Sequence, residues 1–159
     1  MTDRRAGDRG GADGDADPPG RVRPRAGVLS GGVWAHRAAI ATLLDVEPVR
    51  LGLASRPACD LVVGWGHKPT ATAARALARR RGLPYVGLED GFLRSVRPGQ
   101  DEIALGWIVD RSGIYYDAAG PSDLAAAIRR RAGQTPAEAA RARAAMDRLR
   151  ELRLSKYNH

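Results

Sequence analysis

The sequence contains little cysteine, few aromatic residues and no long apolar run. Cys59 is the only cysteine among 159 residues, which excludes an intramolecular disulfide and a cysteine-rich metal site. No stretch reaches the roughly 18 apolar residues that a membrane-spanning helix requires. The N-terminus also lacks the apolar core of a secretory signal. These absences predict a cytoplasmic protein whose only membrane association would be peripheral, at the inner membrane face.

Two further absences concern metals and cofactors. The three histidines, His36, His67 and His159, do not have the spacing of a metal site, so no metal is expected. Gly31 and Gly32 follow the first predicted strand, but neither a complete Gly-x-Gly-x-x-Gly turn nor a P-loop lysine is present. The sequence therefore predicts no cofactor.

The charge is strongly positive. Lys and Arg total 26 against 18 Asp and Glu, a formal net charge of +8. This balance favours anionic partners such as nucleic acids, phospholipid head groups, nucleotides or acidic sugars. The charge makes a nucleic-acid-binding domain an alternative interpretation. However, the sequence has neither a helix-turn-helix signature nor an aromatic-rich RNA-binding strand, so no nucleic acid partner is expected.

The pattern of apolar residues predicts one domain behind a polar tail. Residues 1–25 have almost nothing apolar and are expected to be disordered, while residues 26–159 form the domain. Strands are predicted at 26–30, 49–53, 59–66, 83–88 and 103–109, a short extended segment at 114–117, and helices at 34–44, 72–81, 121–131 and from Thr135 onward. Thr70 or Thr72 is the expected cap of the helix that Gly82 ends. The fold class is α/β: Rossmann-like, with a mostly parallel sheet of about five strands, helices on both faces and a C-terminal helix pair.

The stretch Leu-Glu-Asp-Gly-Phe-Leu-Arg-Ser at residues 88–95 is the first candidate site. Glu89 and Asp90 come directly after a buried strand, and the carboxyl ends of strands form the ligand crevice of open α/β sheets. Arg94 and Ser95 follow within the same loop. The alternative interpretation is an ordinary turn at Asp90 and Gly91 with Glu89 as a solvated loop carboxylate.

A second candidate stretch is Gly-Trp-Gly-His-Lys-Pro-Thr at residues 64–70. It places His67, Lys68 and Thr70 between a strand end and a helix N-terminus, where donors and positive potential suit an anion. His67 is equally compatible with a turn histidine that bonds to the backbone. Further along, Tyr115 and Tyr116 would point in opposite directions if extended, so one of them could face a ligand, although core packing of both is the alternative.

These stretches, with three more, resemble those of a known family. The motifs occur at residues 64–70, 88–95, 110–117 (Asp-Arg-Ser-Gly-Ile-Tyr-Tyr-Asp), 121–124 (Pro-Ser-Asp-Leu) and 155–158 (Ser-Lys-Tyr-Asn). In this order and at similar spacing they resemble the bacterial capsular-polysaccharide β-Kdo transferases. The resemblance covers residues 27–159.

The resemblance implies a function. Members of that family are retaining glycosyltransferases of GT-B-like architecture that move the acidic sugar Kdo from the donor substrate CMP-Kdo to a lipid-linked Kdo acceptor during capsular polysaccharide biosynthesis. The glutamate of the family's Glu-Asp-Gly motif falls on Glu89 and implies a proton-transfer carboxylate near the acceptor, with Asp90 as a second candidate catalytic residue. His67, Lys68, Thr70, Arg94 and Ser95 are the expected substrate-binding residues.

The family's nucleophilic Asp and its His-Pro donor motif lie beyond Ser-Lys-Tyr-Asn, where this sequence ends. We therefore expect the acceptor-side half of one transferase module, inactive alone, with CMP-Kdo bound through a missing or separate donor-side domain. Adjacent strand residues diverge, so Glu89 and Asp90 are not expected to form the catalytic pair by themselves. The alternatives are a non-catalytic sugar-lipid-binding protein and a truncated remnant.

Overall fold

The computed structural model describes residues 22–52, 57–97, 102, 104–130 and 135–156. Residues 1–21 of the predicted tail lie outside these residues, as do Leu53, Ile103 and Arg131, which belong to predicted strands and a predicted helix. The last three residues of the chain, 157–159, lie outside as well. The first strand begins at Arg25, so the last residue assigned to the tail belongs to the sheet.

A five-stranded sheet forms the centre of the domain. Its strands are β1 (Arg25–Val28), β2 (Glu47–Arg50), β3 (Leu61–Trp65), β4 (Tyr85–Asp90) and β5 (Trp107–Asp110), in the order β2-β1-β3-β4-β5. The first four are parallel, and β5 runs antiparallel to β4. The predicted Rossmann-like α/β class is confirmed. Because the order reverses between β1 and β3, a crevice opens beyond their carboxyl ends, as in other doubly wound sheets.

The helices are α1 (Gly31–Ala35), α2 (Arg37–Leu44), α3 (Pro69–Arg81), α4 (Asp123–Arg129) and α5 (Pro136–Glu151). The single helix predicted at 34–44 is thus two helices that meet at His36. The predicted threonine cap of α3 is wrong, because Lys68 occupies the N-cap position without a side-chain hydrogen bond and Pro69 starts the helix. Proline suits that first position, since its missing N–H would have no helical partner. Gly82 ends α3 with a φ of 64°, as predicted.

Helices cover both faces of the sheet. Neighbouring strand residues point to opposite faces, so Val63 packs in one cluster with Val33 of α1 and Ile40 of α2, whereas Val62 packs against Ala74 and Ala78 of α3. Both clusters are apolar and buried, which explains why the strands are apolar on both sides. The core therefore consists of two thin layers that hold the strand ends in place.

The C-terminal helix pair packs loosely. Neither α4 nor α5 has a buried residue. Thr135 and Glu138 form a capping box at the start of α5, where the sequence predicts a helix to begin. Beyond α5, the carbonyl oxygen of Lys156 accepts hydrogen bonds from the backbone N–H groups of Arg94 (3.1 Å) and Ser95 (3.5 Å). The segment after α5 is therefore attached to the loop that follows β4.

The segment between β5 and α4 differs from the prediction. Tyr115 and Tyr116 lie in a turn, so the expected extended conformation at 114–117 is wrong. The carboxylate of Asp110, which is buried, accepts hydrogen bonds from the backbone N–H groups of Ser112 (3.0 Å), Gly113 (2.9 Å) and Asp123 (3.1 Å). These three bonds fold the chain back on itself as soon as β5 ends.

Candidate functional site

A cavity of about 680 Å³ lies at the carboxyl ends of β1, β3 and β4. This is the position at which open α/β sheets bind ligands. Its polar and charged lining comes from both candidate stretches and from the turns beside them: Ser30, His36, His67, Lys68, Glu89, Asp90, Arg94, Glu102 and Tyr116. The fold therefore brings together five of the seven predicted site residues, namely His67, Lys68, Glu89, Asp90 and Arg94.

Gly66 allows the two candidate stretches to approach each other. Its backbone N–H donates to the carbonyl oxygen of Leu88 at 2.9 Å, and its φ is +57°, in the left-handed region that favours glycine. A Cβ at this position would lie 2.7 Å from Oε2 of Glu89 and 3.2 Å from the hydroxyl of Tyr116. The second glycine of Gly-Trp-Gly is thus required both for the turn and for the close approach of a carboxylate.

Glu89 is held by its neighbours in a defined position. Its Oε1 accepts hydrogen bonds from Nε1 of Trp65 at 3.2 Å and from the backbone N–H of Asp90 at 2.9 Å. Its Oε2 lies on the side of Gly66 and Tyr116. One oxygen of the carboxylate is therefore fixed by two donors, and the other faces the turn at the cavity wall.

Tyr116 joins this group. Burial, and next the negative charge of Glu89, raise the pKa of the Tyr116 hydroxyl, while a hydrogen bond with the backbone of His67 acts in the opposite direction. The rings of Tyr115 and Tyr116 contact each other at 5.4 Å between centroids, so they do not diverge as an extended segment would require. Tyr116 remains 49% exposed, and of the two it is the one that lines the cavity. The sequence suggested that one tyrosine could face a ligand but not which one.

Asp90 and Arg94 form an ion pair at the other side of the cavity. Nε of Arg94 lies 3.0 Å from Oδ2 of Asp90, and their side chains are only 13% and 24% exposed. Nη1 of Arg94 also donates to Oγ of Ser95 at 3.0 Å and to the carbonyl oxygen of Glu102 at 3.5 Å. The Asp90 carboxylate is thus neutralised by Arg94, and the pair orders the loop after β4.

Ser95 and Thr70 are not among the residues that line the cavity. Ser95 is buried, and its hydroxyl donates to the carbonyl oxygen of Arg97 at 2.7 Å. Thr70 is exposed on the first turn of α3. Their substrate-binding roles stay predictions, and the hydrogen bonds of the Ser95 side chain are with Arg94 and Arg97 in its own loop.

His67 and Lys68 are exposed where α3 begins. Nε2 of His67 lies 3.6 Å from Oδ2 of Asp117, and its ring contacts that of Tyr116 at 5.5 Å. Lys68 precedes the helix, whose unpaired N–H groups favour negative charge. This corner of the cavity therefore combines a lysine, an imidazole and the positive end of a helix.

An aromatic group that no sequence pattern predicts supports Glu89. Trp65 packs edge to face on Trp107 of β5 at 5.0 Å, and the ring of His36 contacts Trp107 at 5.3 Å. Trp65 is the residue that donates to Glu89, so this packing fixes the donor. The group depends on the antiparallel placement of β5, which no local pattern indicates. Among the described residues, no set of three or more His, Cys, Asp or Glu side chains is arranged to hold a metal ion.

Comparison with known proteins identifies the family. The sequence profile of the family described as "Capsule polysaccharide biosynthesis protein" matches residues 60–159, which include the whole of α3, β4, β5, α4 and α5. The chain belongs to this family. Within the part of the chain that the structure describes, no helix is long and apolar enough to cross a membrane.

Three relatives illustrate the capsule family. LipA of Neisseria meningitidis serogroup A, a capsule polysaccharide modification protein, is 48% identical over 102 residues, which are 63% of this chain and 14% of LipA. The lipopolysaccharide-processing protein LpsZ of Rhizobium meliloti is 38% identical over 98 residues, 60% of this chain and 22% of LpsZ. The solved structure of Thermosulfurimonas dismutans KpsC, titled a β-Kdo 2,4 transferase, superposes with a TM-score of 0.78 at 36% identity.

The resemblance to capsular β-Kdo transferases is thus confirmed at the level of the family. The match to KpsC covers 87% of this chain and 43% of the KpsC chain. The chain therefore spans less than half the length of each of these three relatives.

Proposed function

We propose that this chain forms the acceptor-side part of a β-Kdo glycosyltransferase, which adds Kdo from CMP-Kdo to a lipid-linked Kdo acceptor. The observation that carries the proposal is the placement of Glu89. Its carboxylate lies at the carboxyl end of β4, in the cavity, held by Trp65 and by the backbone of Asp90. The similarity to KpsC supplies the reaction class.

In this proposal Glu89 receives the proton of the acceptor hydroxyl. When the acceptor oxygen bonds to the anomeric carbon of Kdo, the bond between that carbon and the nucleophilic carboxylate of the donor-side region would break, and the proton of the acceptor hydroxyl would pass to Glu89. Oε2 is the suitable oxygen, because Oε1 already accepts two hydrogen bonds. Tyr116, next to Oε2, would orient the carboxylate and the incoming hydroxyl.

The cations beside Glu89 suit an acidic sugar. Kdo carries a carboxylate, and Lys68 and His67 lie at the start of α3 on the wall of the same cavity. Arg94 also lines the cavity, but Asp90 balances its charge. Lys68 and His67 are therefore the proposed carboxylate-binding residues, and Arg94 and Asp90 would shape the opposite wall.

The nucleophile and the CMP site are proposed to lie in a donor-side region outside the described cavity. A glycosyltransferase that retains the anomeric configuration through a covalent intermediate requires one carboxylate as nucleophile and another group for proton transfer. Asp90 is a poor nucleophile candidate, since its carboxylate pairs with Arg94. A lipid-linked acceptor further implies peripheral association at the cytoplasmic face of the membrane.

A transfer assay tests the proposal. The purified chain is incubated with CMP-Kdo and a synthetic Kdo-terminated lipid acceptor, with and without a lysate of the source cells. We expect no turnover by the chain alone, turnover with lysate above that of lysate alone, and loss of this gain with Glu89→Gln. Glu151→Gln, which removes an exposed carboxylate on α5, is the matched control and should retain the gain. Turnover by the chain alone would overturn the half-module proposal, and acceptor binding without any gain would favour a non-catalytic binder.

A further inference from the structure

A second cavity, of about 550 Å³, lies on the face of the sheet that α3 covers. It is bounded by α3, by Tyr85 at the start of β4 and by the segment 111–121. His67 is the one residue that lines both cavities. The proposed function uses the first cavity and leaves this second one, which we call the α3 cleft, without a role.

The α3 cleft is rich in positive charge. Three arginines line it, Arg75 and Arg79 one turn apart on α3 and Arg111 on the opposite wall. Asp117 is the carboxylate in its lining, and it lies 3.6 Å from His67. Among the described residues, no carboxylate lies within 4 Å of the guanidinium of Arg79 or Arg111. The guanidinium groups of Arg79 and Arg111 therefore form no ion pair with a described residue, although the Asp123 carboxylate, which accepts a hydrogen bond from the backbone N–H of Arg111, partly offsets the charge of Arg111.

Arg75 is held in position before any ligand arrives. Its Nη1 donates to the carbonyl oxygen of Gly66 at 3.2 Å, and its guanidinium lies 5.5 Å from the centre of the Tyr85 ring. A guanidinium has five N–H donors, so this arrangement leaves several for another acceptor. A cation that is already ordered loses less conformational freedom on binding than a mobile one.

Tyr85 forms part of the wall of the cleft. Its hydroxyl is inaccessible to solvent. Gly64 makes room for it, because a Cβ at that position would collide with the hydroxyl. Because this hydroxyl is closed to solvent, the contribution of Tyr85 to the cleft is its ring, over which the Arg75 guanidinium lies.

We propose that the α3 cleft binds a phosphate group, as a monoester or a diester. The N–H donors of an arginine lie in one plane and match two oxygens of a phosphate group. They match a spherical anion such as chloride less well. Either a soluble phosphate ester or a phospholipid head group would present this chemistry. The three arginines do not line the Glu89 cavity, and the proposal does not depend on the proposed transferase activity.

Titration with inorganic phosphate, followed by NMR of the backbone and of the arginine Nε–H groups, tests the site at constant ionic strength. Phosphate should shift the signals of Arg75, Arg79 and Arg111, and chloride should not. The double variant Arg79→Gln/Arg111→Gln should weaken binding about tenfold or more, since each lost bond involves two charged groups. Arg80→Gln/Arg129→Gln removes the same charge from exposed positions outside the cleft and should change the affinity less than about twofold.

Two further arms separate the sources of phosphate. Glycerol 3-phosphate represents a soluble ester, and vesicles of phosphatidylglycerol in phosphatidylcholine represent a lipid. If the chain binds glycerol 3-phosphate and Arg79→Gln/Arg111→Gln weakens this binding, the ligand is a soluble ester. If the chain sediments with the vesicles and the same variant weakens the sedimentation, the ligand is a lipid head group. An equal loss of phosphate affinity in the two double variants would overturn the site. Phosphate-induced NMR shifts confined to Lys68 and Arg94 would also overturn it. Unchanged unfolding midpoints of both variants establish that the fold is retained.

Discussion

At the scale of single residues, the candidate site depends on what surrounds Glu89 more than on Glu89 itself. Trp65 and the backbone of Asp90 fix one carboxylate oxygen, and Gly66 leaves space for the other. The sequence predicted the carboxylate and its position at a strand end. It could not predict these partners, because Trp65 and Tyr116 reach Glu89 only through the register of β3 with β4 and through the turn after β5.

Gly66→Ala tests this arrangement against Gly82→Ala. Both glycines have positive φ, but a Cβ at Gly82 would meet nothing within 4 Å, whereas one at Gly66 would press on Glu89 and Tyr116. Each variant should lose roughly 1 to 2 kcal/mol from the left-handed backbone, and Gly66→Ala should lose about 1 to 3 kcal/mol more from overpacking. Urea unfolding measures both. Equal losses would show that Glu89 does not need the space at Gly66.

The pKa of Tyr116 reports the charge of Glu89. Burial and the Glu89 carboxylate hold the pKa of the Tyr116 hydroxyl above its ordinary value of 10.0. Removal of that negative charge makes the phenolate easier to form, so Glu89→Gln should shift the Tyr116 titration to lower pH. NMR of tyrosine labelled at Cζ measures the titration, with Tyr116→Phe to assign the signal. Because the folded-state pKa is raised, the associated stability is present below pH 10 and declines as pH rises through the Tyr116 pKa. An unchanged titration in Glu89→Gln would contradict the contact.

At the scale of elements, prediction succeeded where local chemistry decides the outcome. Gly82 ends α3, Thr135 and Glu138 start α5, and the apolar run of β3 forms a central strand. Prediction failed where the local structure depends on contacts that no local sequence pattern shows. The helix expected at 34–44 divides at His36, whose ring packs on Trp107 from the far edge of the sheet. The segment after β5 turns instead of extending, because buried Asp110 collects the backbone N–H groups that follow it.

Asp110→Ala should therefore destabilise the junction between β5 and α4. The substitution leaves three backbone N–H groups without their acceptor at a buried position, where each unsatisfied group costs about 1 to 3 kcal/mol. Water can reach part of the junction, so we expect a total loss of at least about 2 kcal/mol in urea unfolding. Asp147→Ala on exposed α5 is the control and should change stability by about 0.5 kcal/mol or less. A similar small loss for both variants would show that Asp110 does not organise the turn.

At the scale of the whole molecule, the order of strands and helices was largely readable from the sequence, and the α/β class with helices on both faces is confirmed. The reversal of β5 was not readable, since a short apolar run carries no direction. That reversal places Trp107 against Trp65 and thereby completes the wall behind Glu89. The chain thus holds a fixed carboxylate and a cationic corner in one cavity, on a domain that matches 43% of the KpsC chain.

The most direct test of the central claim is an NMR titration of the tryptophan indole N–H signals with a synthetic Kdo-terminated acceptor. Trp65 donates its indole N–H to Glu89, whereas Trp34 does not line the cavity and serves as an internal control. We expect the acceptor to shift the Trp65 signal and to leave the Trp34 signal unchanged, and we expect Lys68→Gln to weaken the response. Acceptor binding that leaves the Trp65 signal unmoved, or no binding at all, would contradict the assignment of the Glu89 cavity as the acceptor site.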